Sequence, residues 1–300
     1  MGTDSTRHTD STRGTTGTDG GHDPVVEHER TRAALADVNA RLVRLLGDVP
    51  DPDAPSGLPG WSVGDAGAHL AAAHLAFCSL VTDEPLDWDA LLPTGAHSFA
   101  GRIRDLNATS IALFGPEERA RLGEVVAERG ATFLRATRDL APDTPVLAPW
   151  YGEGAELSLA TATGLLLSES LVHGLDIARG AGLPWRIGPD EARLVLGQAM
   201  PTVMPLALDP VRARGVDLAF DLALTGGPRL AVVVADGRAT VTRDAPPRRY
   251  DCRITADPAT FLLVSFKRTP IWKAVALGRL RAGGRRPWLA HRLGRLIASP

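Results

Sequence analysis

The sequence predicts an all-α unit followed by a smaller α+β unit, and three observations carry that prediction. Apolar residues recur at helical spacing in several long stretches between Val25 and Arg179. From Val216 the pattern changes to short alternating or β-branched runs, the mark of strands. Before Pro24 there is no apolar period at all.

That first segment, Met1 to Asp23, is almost wholly Thr, Ser, Asp, Gly, Arg and His. No core is available there to offset the entropy of ordering, so a disordered tail is expected. Its His8 and His22 are read as part of that tail and not as ligands. A first amphipathic helix follows over Val25–Leu46, with Val26, Leu35, Val38, Leu42 and Leu45 on its apolar face. Asp48–Pro59 is rich in Pro, Gly and Asp and reads as a loop. Ser62 and Asp65 stand three apart, a capping-box spacing, and open a second helix that ends near Val81. Its alanines allow a neighbouring helix to approach closely. Thr82–Gly101 is irregular, and Arg102–Leu113 is a shorter helix.

Pro116–Leu140 is expected to be one long amphipathic helix, with Pro116 in its first turn. Ala141–Glu156 reads as a Pro-rich loop, and Leu157–Arg179 as a fourth long helix stopped by Gly180 and Gly182. Four long helices joined by loops suggest a bundle. After a helical stretch from Pro189 to about Leu206, strands are expected at Val216–Leu224, Leu230–Val234, Ala239–Thr242 and Tyr250–Thr255, with an Asp236-Gly237 turn. Asp257–Phe266, Ile271–Leu277 and Pro287–Ile297 read as helices. The domains are therefore a tail over 1–23, a helical bundle over 24–185 and an α+β unit over 186–300.

The 300 residues are 44% hydrophobic and 23% charged with a net charge of −2, ordinary for a soluble globular chain. That balance argues against a nucleic-acid or membrane-surface partner. The six C-terminal arginines Arg279, Arg281, Arg285, Arg286, Arg292 and Arg295 are read as a solvated face. No stretch is long and apolar enough to span a bilayer, and the N-terminus has no apolar signal core, so a cytoplasmic protein is expected. Cys78 and Cys252 form no motif, which suits a reducing compartment, and Cys78 reads as a small core residue. Lys267 and Lys273 are the only lysines, a bias typical of high-GC bacterial coding. Nothing decides between monomer and homodimer.

Glu169 and His173 are four apart on an otherwise apolar helix and so share one face. Such a pair must face water, a partner or a metal, because burying either alone is costly. His69, mid-helix on an alanine-rich face, is a third candidate. His74 lies about 140° further around that helix and cannot easily share the face. Two imidazoles and one carboxylate suit zinc, with a position left open as in catalytic sites. Spacing alone does not establish a shared site, and a solvated helix pair is the competing reading. Asp176 either supports the site or pairs with Arg179, and the pairing is the preferred expectation.

The stretch Trp61-Ser62-Val63-Gly64-Asp65-Ala66-Gly67-Ala68-His69-Leu70 resembles the first signature, W-[ST]-V-x-D-x-x-x-H-L, of the mycothiol-dependent maleylpyruvate isomerase family within the DinB-like superfamily. Glu169 through Ala178 resembles its second, E-x-x-x-H-x-x-D-[LI]-A. The similarity runs from about Val25 to Gly182. It implies a DinB-like four-helix bundle in which His69, Glu169 and His173 hold a divalent metal. The C-terminal region more loosely resembles the sterol carrier protein type 2 fold, through Ile254–Arg268 and Gly278–Gly284. In such relatives an arginine from this domain helps catalysis, and Arg268 matches it best, although Lys267 replaces the usual preceding glycine. An arginine fork there would suit a carboxylate substrate.

The resemblance also implies mycothiol as thiol cosubstrate and a small electrophilic substrate such as maleylpyruvate, with isomerisation or S-transfer as the reaction. Two alternatives stand beside it. One is a metal-binding bundle with another reaction or none. The other is a carrier whose C-terminal domain binds an apolar ligand.

Overall fold

The computed structural model describes residues 23–84, 86–95, 98–243 and 248–297. The expected tail, with His8 and His22, lies outside the described residues except for Asp23. That residue caps the first helix, its carboxylate accepting from the Val25 amide at 2.9 Å.

Helix α1 spans Pro24–Gly47, and α2 spans Val63–Ser79. The capping box at the start of α2 is formed: the Asp65 amide donates to Ser62 Oγ, and the Ser62 amide to the Asp65 carboxylate, both at 3.0 Å. Short α3 (Trp88–Leu91) lies within the stretch expected to be irregular, and α4 covers Phe99–Ala112. The single helix expected over Pro116–Leu140 is in fact two, α5 (Pro116–Arg119) and α6 (Leu122–Ala136). The break has a tertiary cause. Arg119 turns back to donate to the Phe114 carbonyl at 3.0 Å and to Asp65 at 2.8 Å, tying α5 to the start of α2.

The supposed Pro-rich loop holds a small antiparallel hairpin, β1 (Pro145–Leu147) with β2 (Glu156–Ser158). Helix α7 then runs Leu159–Ala181 and ends at Gly182 in the left-handed region, φ +68°. The four long helices pack in a ring: α1 and α2 each contact both α6 and α7. Small residues matter on α7. A Cβ on Gly174 would lie 2.4 Å from the Trp185 ring, whose Nε1 donates to the Leu171 carbonyl at 2.9 Å.

The helical stretch after Pro189 divides into α8 (Pro189–Gln198) and α9 (Met200–Leu206). A five-stranded sheet follows, built from β3 (Leu218–Leu224), β4 (Arg229–Ala235), β5 (Arg238–Arg243), β6 (Cys252–Ala256) and β7 (Leu280–Gly283) in the order β5-β4-β3-β6-β7. Strands β3 and β6 are parallel and the other pairs antiparallel. Asp236 and Gly237, both at positive φ, make the expected tight turn between β4 and β5. Helices α10 (Pro258–Ser265), α11 (Ile271–Ala276) and α12 (Ala290–Leu296) complete the chain.

One apolar core is continuous from the helices to the sheet, joining Leu35, Phe133 and Leu166 to Phe220, Leu222 and Val232. A second lies within the helical ring around Leu42, Leu70, Val126 and Ile177. An ion pair also links the two parts: Arg243 on β5 grips Glu27 on α1 through two hydrogen bonds of 2.5 and 3.0 Å. No described helix is long and apolar enough to cross a membrane.

Candidate metal centre

Helices α2 and α7 bring the three expected ligands together. His69 Nε2 lies 3.1 Å and His173 Nε2 3.3 Å from the same carboxylate oxygen, Glu169 Oε2. The three donor atoms all fall within 4.8 Å of one another, the one such group among the described residues. His69 and His173 meet edge to face, with ring centroids 4.5 Å apart. Trp61, just before α2, covers both rings at 5.1 and 5.8 Å. His74, as its spacing predicts, points elsewhere: it is fully buried and bonded to the Leu70 carbonyl at 2.8 Å.

Electrostatics fit a cation at the point where these atoms converge. Burial, then the neighbouring His173, lowers the pKa of His69, which favours the neutral imidazole that a metal needs. Burial works against ionisation of Glu169, but the two histidines outweigh it and hold the carboxyl well below the usual range. Nδ1 of His69 is buried with no hydrogen-bond partner. The donor set of two imidazoles and a carboxylate is one that zinc accepts. Glu169 remains 27% exposed, so the group is not sealed from a ligand.

A layer behind the triad corrects one expectation. Asp176 does not pair with Arg179. It is wholly buried, and its carboxylate receives Arg268 Nε at 3.0 Å and Nη2 at 2.5 Å. It also stands 3.1 Å from His173 Nδ1, close enough for charge pairing though not aligned as a hydrogen bond. Burial opposes the charge on His173, yet Asp176 and Glu169 together raise its pKa. Arg179 donates instead to the Arg268 carbonyl at 3.3 Å. A partner four residues or fewer away is the simplest guess for a helical aspartate, but a side chain facing the core is met by whatever the core supplies.

Arg268 is therefore largely buried. Its side chain is 10% exposed, and its remaining Nη1 donates to the Phe266 carbonyl at 2.7 Å. Lys267 before it adopts φ +59°, a backbone conformation that favours glycine. The fork expected for a substrate carboxylate is engaged by Asp176. Trp61 is the site residue that the sequence left unassigned, and Asp176 the one it paired with the wrong arginine. Both stand inside the two signature stretches, which was the available signal.

A family model described as the mycothiol maleylpyruvate isomerase N-terminal domain matches residues 32–178. Residues 32–178 thus carry that family's N-terminal domain. The mycothiol maleylpyruvate isomerase domain so defined contains all three triad residues and Asp176 but not Arg268. No curated protein matches the sequence. Among solved structures, the crystal structure of the mycothiol-dependent maleylpyruvate isomerase aligns at 15% identity with a TM-score of 0.47, covering 85% of this chain and 92% of that one. A point mutant of the same protein gives the same figures. A double mutant of a sec-alkyl sulfatase aligns at 13% identity with a TM-score of 0.33, covering 76% of this chain and 32% of that one.

Proposed function

We propose that the chain is a metal-dependent enzyme that activates a low-molecular-weight thiol, mycothiol, for isomerisation of, or S-transfer to, an electrophilic substrate. The observation that carries this reading is the convergence of His69, Glu169 and His173 on one point in a domain of the maleylpyruvate isomerase family. In this reading residues 24–185 form a four-helix metal-binding bundle, and residues 186–300 form a sterol-carrier-like domain that lends Arg268 to the site.

His69, Glu169 and His173 would hold a divalent ion, zinc by donor chemistry, and the ion supplies the positive charge that favours a thiolate over a thiol. The protein's own groups then do the positioning. Asp176 fixes the His173 ring so that Nε2 faces the centre, as carboxylates behind metal-bound histidines commonly do. Arg268 keeps Asp176 charged and in place. Trp61 covers the two imidazoles and limits water. For isomerisation, the thiolate adds to an activated cis double bond. Rotation about the new single bond and elimination of the same thiolate then give the trans product. For S-transfer the adduct, once protonated on carbon, is released.

Metal content of purified protein tests the assignment, with His69→Ala and Glu169→Ala as variants. About one zinc per chain, lost in both variants and perturbed by added mycothiol, is expected. Full occupancy in either variant overturns the ligand set. Bound zinc indifferent to thiol favours the alternative of a metal-binding bundle with another reaction.

A further inference from the structure

The triad opens on a cleft of about 950 Å³ between the helical part and the C-terminal elements, with His69 and Glu169 in its wall. Its chemistry does not suit a small dianion. Phe77, Trp88, Phe99, Trp150 and Tyr151 form a contiguous aromatic wall, with neighbouring centroids 5.2 to 5.9 Å apart. Leu106 and other aliphatic side chains fill the spaces between. Apart from the two triad members, the acidic and basic side chains in the wall are Lys267, Arg281 and His291, and all three are exposed. Arg268, which reaches the back of the triad through Asp176, has its fork engaged by that carboxylate. A dicarboxylate drawn into this cleft would lose its water with no protein cation inside to replace it. The mouth is apolar as well: Leu113, Ile271, Val275 and Trp288 line it and remain 49% to 66% exposed.

We infer that the electrophile handled here is a bulky, largely apolar molecule whose hydrocarbon body fills the cleft while its reactive carbon meets the thiol at the triad. The class meant is an α,β-unsaturated carbonyl compound with a long alkyl or aryl substituent. In the transfer step the thiolate sulfur bonds to the β carbon and the double-bond pair moves onto the carbonyl as an enolate. The α carbon then takes up the proton that the thiol gave up, so nothing else is consumed. The chemistry rests on the thiol-activating reading above, whereas the size and polarity of the ligand rest on the cleft alone.

The test uses the full zinc-loaded chain and two homologous series. Equilibrium binding of unreactive 1-alkanols from four to twelve carbons is followed by tryptophan fluorescence, since Trp88 and Trp150 are in the wall. Thiol-dependent consumption of trans-2-enals of the same lengths, with mycothiol, gives kcat/KM. Both quantities are expected to rise roughly threefold to fourfold per added methylene until the cleft is full. Leu106→Glu should flatten both slopes. Ala76→Phe, which adds bulk without charge, should stop the gain at a shorter chain. Flat series in the wild-type protein, with turnover confined to a short diacid, overturn the inference and leave the thiol reading intact. A rising alkanol series with no thiol consumed by any enal supports the apolar ligand and overturns the thiol chemistry instead.

Discussion

Arg268 and Asp176 lie 92 residues apart in sequence, yet their side chains close on each other as a forked ion pair, one partner 10% exposed and the other fully buried. The pair stands directly behind His173. It thus connects the C-terminal part of the chain to the candidate metal centre through a single carboxylate.

Removing the arginine should be felt at the metal. Arg268→Ala is expected to lower zinc affinity about tenfold to a hundredfold, the usual effect of losing support behind a ligand. Chelator competition measures it, and an unchanged affinity would refute the coupling.

The same pair predicts non-additive stability. Arg268→Met or Asp176→Leu alone leaves a buried charge without its partner and should cost about 3 to 5 kcal/mol. The double variant should cost less than the sum, because both charges are gone. Urea unfolding of the four proteins supplies the cycle.

Lys267 holds a left-handed backbone that a side chain opposes. Lys267→Gly is expected to stabilise the fold by about 1 kcal/mol, less the added entropy of the unfolded chain. A drop in the urea midpoint would show that the lysine side chain compensates for its conformation.

Gly174 leaves room for the Trp185 ring, which a Cβ would meet at 2.4 Å. Gly174→Ala should destabilise by about 1 to 3 kcal/mol through overpacking. It should also shift the Trp185 emission, since the ring must leave α7. Wild-type stability with unchanged fluorescence would contradict this packing.

Burial lowers His74 to about 4, with the Leu70 carbonyl partly offsetting. The unfolded chain, with an ordinary histidine near 6.5, takes up the proton first as pH falls. The neutral buried ring therefore contributes its full stability above about pH 6.5. That contribution is lost progressively as pH falls towards 4, to a total of about 3 kcal/mol. His74→Gln should show a shallower loss over this window in metal-free protein, measured by urea unfolding at pH 7 and pH 4.5.

Much of the helical part was legible because its signals are local. Ser62 and Asp65 announce the start of α2 within four residues, and Gly182 marks the end of α7. The triad was legible because polar residues stand out on apolar helices. What was hidden depends on contacts distant in sequence. The break after Arg119 comes from its bond to Asp65, 54 residues away. Strand β7 exists because it pairs with β6, and the three-residue strands β1 and β2 are too short for alternation to show. Asp176 had a plausible neighbour in Arg179, but the fold turned its carboxylate inward, where it meets His173 and Arg268.

That inward carboxylate bears on how such a chain can be rebuilt. The anion of Asp176 belongs to the helical segment and its counter-cation to the segment that follows. A helical part cut free after residue 185 would lose the guanidinium that grips this carboxylate and keep only His173 beside it. A fusion with a different C-terminal partner would inherit the same demand. The junction between the two parts thus carries an electrostatic demand, and a new partner that brings a cation to that one position would meet it as Arg268 does.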